Sequence, residues 1–87
     1  MPKIEIYTSF LCGYCARAKA LLEQKQVAFE EIGVMMDGRK RAEMVERANG
    51  RTSVPQIFID DVHIGGSDEL YALEQAGRLD ALLASTQ

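Results

Sequence analysis

The tightest constraint on this chain is the position of its two cysteines, Cys12 and Cys15, the only ones it contains. Before them runs Lys3-Ile4-Glu5-Ile6-Tyr7, which alternates apolar and polar residues; after them runs a helix-forming stretch from Ala16 to Gln26. Period-two alternation marks a strand over 3–7 with Ile4 and Ile6 on one face. The alanines at 16, 18 and 20 with Leu21 and Leu22 favour a helix over 13–25. Cys12 therefore falls at a helix start, where free backbone N–H groups and the helix dipole favour a thiolate over a thiol. Cys15 follows one turn later, close enough to close a disulfide with it. A thiolate is the nucleophile of thiol–disulfide exchange.

The remaining elements follow in order. Residues 27–33 read as a second strand with Val27, Phe29 and Ile32 inward, and a strand–helix–strand unit implies a parallel pair with a right-handed crossover. Asp37 is placed to cap a helix over 38–48 with Met44, Val45 and Ala48 as its buried stripe, ended by Asn49-Gly50. An extended loop, Arg51-Thr52-Ser53-Val54-Pro55, leads into a hairpin of 56–59 and 62–64 turned at Asp60-Asp61. Gly65-Gly66 makes a flexible turn and Ser67 can cap a third helix, with Asp68 and Glu69 in its first turn. Two short C-terminal helices are separated near Gly77. The order β-α-β-α-β-β-α-α predicts an α/β fold, a mixed four-stranded sheet flanked by helices. The 87 residues suffice for one domain, and no repeat or linker divides 1–87.

Composition removes several function classes. Apolar residues make up 47% of the chain, too many for a disordered segment, and no apolar run is long enough to span a membrane. Ten basic against 13 acidic residues, a net charge of −3, is no nucleic-acid footprint. The basic cluster Arg39-Lys40-Arg41, Arg47 and Arg51 reads either as a solvated helix face or as a positive rim for a small anion. A structural zinc site needs about four ligands, and two cysteines with one distant histidine do not supply them. Haem attachment needs a histidine where Ala16 stands. His63 reads as an outward hairpin residue without a chemical role, and Met35, Met36 and Met44 as loop and core packing.

Three motifs together give the chain its resemblance: Cys12-Gly13-Tyr14-Cys15 after the first strand, Ser53-Val54-Pro55-Gln56 before the third, and Gly65-Gly66-Ser67-Asp68 before the third helix. Over essentially all its length the chain resembles the glutaredoxins of the small bacterial dithiol type, which have a thioredoxin-like fold. The resemblance implies that Cys12 is the nucleophile, Cys15 the resolving thiol and Pro55 a cis-proline beside them. It implies a glutathione site in which the Val54 backbone pairs with the cysteinyl part, Gly66, Ser67 and Asp68 hold the γ-glutamyl end, Tyr14 lines the groove and Arg41 meets the glycine carboxylate. The chain departs from the family pattern at Gly13, where a proline is usual, at Ser9, where a lysine is common, and at Ser53 in place of threonine.

The expected function is a cytoplasmic, glutathione-dependent thiol–disulfide oxidoreductase acting on glutathione mixed disulfides and protein disulfides, with glutathione as co-substrate. No nucleic-acid or membrane partner is expected, and the chain is expected to be a monomer. The alternative is a [2Fe–2S] carrier or sensor: a dimer in which each chain gives Cys12 and two glutathione molecules give the remaining thiolates. Gly13 motivates that reading. A thioredoxin proper is disfavoured because the chain has no tryptophan.

Overall fold

Strand β1 (Ile4–Thr8) is the centre around which everything else is placed. The computed structural model, which describes residues 2–84, runs β1, α1 (Gly13–Gln24), β2 (Glu30–Gly33), α2 (Gly38–Arg47), β3 (Gln56–Ile59), β4 (Val62–Gly65), α3 (Ser67–Gln75) and α4 (Leu79–Ala84). The sheet order is β2-β1-β3-β4, with β1 parallel to β2 and antiparallel to β3, and β3 antiparallel to β4. Ile6 stands opposite Glu31 on one side and Ile57 on the other.

The two faces of this sheet carry two separate cores. On one, Ile4, Ile6, Ile57 and Ile59 meet Ala18, Leu21 and Leu22 of α1, Leu70 of α3, and Leu79 and Leu83 of α4. Each such fully buried aliphatic side chain contributes about 1.5–3 kcal/mol. On the other, Tyr7 and Phe58 meet Ile32, Val34, and Met44 and Ala48 at the end of α2. The alternation in β1 predicts one buried face. Instead all five residues are buried, because α2 covers the side that carries Glu5 and Tyr7.

The second face is closed by a half-buried polar cluster. Arg47 Nη2 donates to Glu5 Oε1 at 2.9 Å and Arg47 Nη1 to the Tyr7 hydroxyl at 2.8 Å, while the guanidinium lies 4.0 Å from the centre of the Phe58 ring. Arg47 is thus neither a solvated face residue nor part of a positive rim; its charge is matched by Glu5. Tyr7 in turn donates to Glu43 on the same helix.

Several boundaries shift from the sequence expectation. β2 begins at Glu30, and Val27 and Phe29 instead sit half-buried against the first core. Helix α1 ends at Gln24 and the chain turns at Gln26, whose φ is +61°. Lys25 then ties the end of α1 to the C-terminal helices, with Glu74 and Asp80 each at 2.8 Å. Asp37 caps α2 as expected, accepting from the amides of Arg39 and Lys40. Ser67 is not a cap. Gly66 holds that position, its N–H donating to Glu69 Oε1 at 2.6 Å, and Ser67 is the first helical residue. Met44 is core, whereas Met35 and Met36 lie on a loop and are exposed, so they are not core packing.

Candidate active site

The loop from β1 into α1 delivers the two thiols into different environments. Cys12 is the N-cap of α1, with extended backbone, and its Sγ accepts the Cys15 N–H at 3.1 Å. It is half-buried, while Cys15, on the inner face of the first turn, is buried. Burial, reinforced by the hydrogen bond with Cys12, pushes the Cys15 thiol up to about 12. Both cysteines are reduced.

The loop before β3 approaches from the other side. The Val54–Pro55 peptide is cis, and the Val54 carbonyl accepts from the Cys12 thiol at 3.8 Å. The fully buried Gln56 side chain fixes this loop: its Nε2 donates to the Ser53 carbonyl at 2.9 Å and approaches the Ser53 hydroxyl at 3.3 Å. That use of the amide nitrogen leaves Oε1 facing His63 Nε2 at 2.7 Å, so the proton of the neutral imidazole belongs on Nε2. His63 also lies against Phe58, with ring centres 5.0 Å apart. It is therefore no outward hairpin residue: it completes the support of the loop. Burial, helped by the nearby Arg51 charge, holds its pKa below the usual value.

The start of α3 comes close to Pro55. A Cβ on Gly66 would stand 3.2 Å from the Pro55 carbonyl oxygen, and at Gly65, with φ +120°, it would collide with Glu69. The glycine pair is what allows this approach. The result is a small groove of about 170 Å³ that joins Tyr14, Val54, Pro55, Gly66, Ser67 and Asp68, six of the residues singled out from sequence. The Ser67 hydroxyl is buried in its wall with no hydrogen-bond partner among the described residues. Arg51 and Glu69 also line it, 3.5 Å from one another. Arg51 thus stands where the sequence offered it as part of a positive rim, whereas Glu69 read only as a first-turn charge. Arg41 is not among the lining residues; its guanidinium donates to the Thr52 carbonyl at 3.2 Å and so braces the same loop from outside.

A second and larger groove, about 900 Å³, includes Cys12 in its lining. Phe10, Leu11, Met35 and Met36 supply its exposed apolar walls, and both cysteines contribute to its floor. Leu11 has φ +54°, a left-handed conformation that costs a side-chain-bearing residue about 1–2 kcal/mol. At the far end Lys19 and Thr8 both bond to Glu31, at 2.9 and 2.8 Å, and the Lys19 charge holds the Glu31 carboxyl below its usual value. The sequence offered one hint of this groove, the apolar pair Phe10-Leu11 in a loop directly before Cys12.

A sheet of this topology, with a cysteine pair at a helix start beside a cis-proline, defines a thiol–disulfide oxidoreductase with a thioredoxin-like fold. The glutaredoxin family pattern matches residues 4–64. The chain is 57% identical to glutaredoxin 3 of Escherichia coli over 83 residues, 95% of this chain and 99% of that one. Its structure aligns with the solution structure of glutaredoxin from Brucella melitensis at a TM-score of 0.81 and 56% identity, covering 93% of this chain and 87% of the other. It aligns with the buckwheat glutaredoxin–glutathione complex at 0.83 and 29%, covering 94% and 76%. The chain belongs to the glutaredoxin family. Among its described residues no helix is long and apolar enough to cross a membrane.

Proposed function

We propose that this chain, as one domain over residues 1–87, reduces glutathione mixed disulfides and protein disulfides with glutathione as the electron donor, in the cytoplasm, where free thiols stay reduced. The observation that carries this reading is the small groove. It starts at Val54, whose carbonyl meets the Cys12 thiol, and ends at an unpartnered Ser67 hydroxyl and the carboxylate of Asp68. A buried hydroxyl without a partner calls for one, and a ligand laid in the groove would supply it. A glutathione laid along the groove would pair its cysteinyl backbone with Val54 as an added strand. Its α-carboxylate would meet Ser67 and the first amides of α3, and its α-ammonium Asp68. Pro55 and Gly66 shape the floor and Tyr14 one wall. Arg41 acts through the Thr52 carbonyl.

The Cys12 thiolate attacks the glutathione sulfur of a mixed disulfide. A bond forms between those two sulfurs, and the protein sulfur leaves with the electron pair of the broken bond. A second glutathione thiolate then attacks the glutathione sulfur on Cys12, giving glutathione disulfide and restoring the Cys12 thiolate. When the substrate is a protein disulfide, Cys15 loses its proton and attacks the Cys12 sulfur, and the protein thiolate departs. Because burial holds the Cys15 proton, this second route is the slower one near neutral pH.

The test is turnover of a cysteine–glutathione mixed disulfide with varied glutathione, for the wild type, Cys12→Ser and Cys15→Ser. Glutathione-dependent turnover that is lost in Cys12→Ser and kept in Cys15→Ser supports the reading. A rate indifferent to glutathione, or one surviving Cys12→Ser, overturns it.

A second reading rests on Gly13. A Cβ there would meet nothing within 4 Å, so no other part of this chain crowds the position next to Cys12. Two chains, each offering Cys12, with two glutathione thiolates, would provide the four sulfur ligands of a [2Fe–2S] cluster. Anaerobic reconstitution with iron, sulfide and glutathione that yields no visible absorption overturns it.

A further inference from the structure

Three ionic groups line the small groove: Arg51 from the loop before β3, and Asp68 and Glu69 in the first turn of α3. They are not equivalent. Asp68 is exposed and lies beside the buried Ser67 hydroxyl. Glu69 is used inside the chain: its Oε1 accepts the Gly66 N–H at 2.6 Å. That bond, together with the Arg51 charge, holds the Glu69 carboxyl below its usual value, so it is a carboxylate at neutral pH. A negative charge is therefore fixed next to the amides that open α3, where a ligand carboxylate would find the Ser67 hydroxyl.

Arg51 is the one cation among the groove's described lining residues. Its Nη1 lies 3.5 Å from Glu69 Oε1, and a Cβ on Gly66 would come 3.6 Å from its Nη2. The contact is long, and the two side chains are 43% and 46% exposed. An ion pair of that kind adds little to the stability of a fold. Arg47 shows what a structural guanidinium looks like in this chain, with bonds of 2.8 and 2.9 Å and a ring face at 4.0 Å. The effect of Arg51 is electrostatic instead. With it, Glu69 is offset and Asp68 is left to meet a ligand cation. Without it, two carboxylates face one ligand head.

We infer that Arg51 is a specificity-determining residue. Its charge offsets Glu69, so that this end of the groove selects a zwitterionic α-amino-acid head, with the α-carboxylate at Ser67 and the α-ammonium at Asp68, over a head that is only cationic. This rests on the glutathione reading of the groove and names what that site discriminates.

The test is the rate at which Cys12 attacks three 2-thiopyridyl disulfides. One carries glutathione, the second glutathione whose γ-glutamyl α-carboxyl is an amide, and the third N-acetylcysteine, which has no such head. In each, the Cys12 thiolate bonds to the sulfur of the thiol half, the bond to the pyridyl sulfur breaks, and thiopyridone leaves with the electron pair and absorbs. The proteins are the wild type, Arg51→Gln and Arg51→Gln/Glu69→Gln; a glutamine at 69 keeps an oxygen for the Gly66 N–H.

The wild type reacts about tenfold faster with the glutathione reagent than with its amide. Arg51→Gln loses that preference, and the double variant regains it because the uncompensated carboxylate is gone. The N-acetylcysteine rate is the same in all three proteins. The inference is overturned if the wild type does not separate the free acid from the amide, if Arg51→Gln still does, or if the double variant fails to regain the preference. It is also overturned if all three rates fall together in Arg51→Gln, which would make Arg51 a support of the loop. A wild type that treats the glutathione and N-acetylcysteine reagents alike overturns the glutathione reading and this inference together. One that favours glutathione, while Arg51→Gln still prefers the free acid, overturns this inference alone.

Discussion

Two grooves of different character meet near Cys12: it lines the larger, and its thiol reaches Val54 at the edge of the smaller. In one, the groove of Tyr14, Val54 and Ser67, the buried Ser67 hydroxyl has no hydrogen-bond partner among the described residues, and the exposed Asp68 lies beside it. In the other, the groove of Phe10, Leu11 and Met36, large apolar side chains stand exposed. A disulfide has two halves, and a thiol that attacks it must accommodate one and release the other. The contrast teaches that one thiol can border two surfaces of different chemistry, one with a polar wall and one with an apolar wall.

The most severe way to break the contrast is to remove what the two sides share. Cys12→Ser is expected to lower turnover of every disulfide substrate by at least about 10³-fold, the scale of losing a covalent nucleophile. Steady-state rates with a glutathione mixed disulfide and with a protein disulfide check it, and a loss confined to one substrate would refute a shared thiol.

Next is the resolving step. With the Cys15 thiol pushed up to about 12, its thiolate fraction, and so the rate of mixed-disulfide resolution, is expected to rise about tenfold per pH unit from 6 to 8. Burial is the largest cause of that shift, so it persists when Cys12 is bonded and uncharged. Stopped-flow decay of a Cys12–peptide disulfide measures this. A flat profile would mean that Cys15 is not the group that resolves it.

The polar side is sharpened by Asp68→Asn. Losing a charge-assisted contact of about 1.5–3 kcal/mol raises the KM for glutathione roughly 10- to 100-fold. The rate with the 2-thiopyridyl disulfide of N-acetylcysteine, which lacks a γ-glutamyl end, stays constant. If both substrates weaken equally, Asp68 supports the fold and not the ligand.

The gentlest test is His63→Leu. It leaves the Gln56 carbonyl buried without its partner and costs about 1–3 kcal/mol of stability, read from urea unfolding. The KM for glutathione then rises modestly through the Ser53 loop. An unchanged unfolding midpoint would mean that the imidazole contributes nothing there.

The parts of this molecule that were legible in the sequence are those written in local chemistry. Period-two runs, the Asp37 cap, the Asn49-Gly50 and Gly77 stops and the spacing of Cys12 and Cys15 gave all eight elements and their order. Six of the residues named for the small groove do meet in space. What was not legible needed two distant segments at once. His63 looked like an outward residue because its partners, Gln56 and Phe58, are reached only across the hairpin. Arg47 sat in a basic cluster and looked solvated, because nothing local says that Glu5 is buried opposite it. Met35 and Met36 looked like packing because exposure is not a property of residue type. Ser67 looked like a cap, yet the close approach to Pro55 moved the helix start by one residue and freed its hydroxyl.

The seat of α2 has a consequence for how the thiol loop is held. Met44 and Ala48 pack it on the second core, and the guanidinium of Arg47 joins Glu5, Tyr7 and Phe58. A partly buried ion pair of this kind is screened by salt much less than an exposed one. Amide hydrogen exchange in α2 is therefore expected to change little as salt is raised, and to quicken in Arg47→Met. The same helix carries Arg41 on the Thr52 carbonyl. A helix that shares no chemistry with the thiols thus sets how steadily the backbone beside them is held.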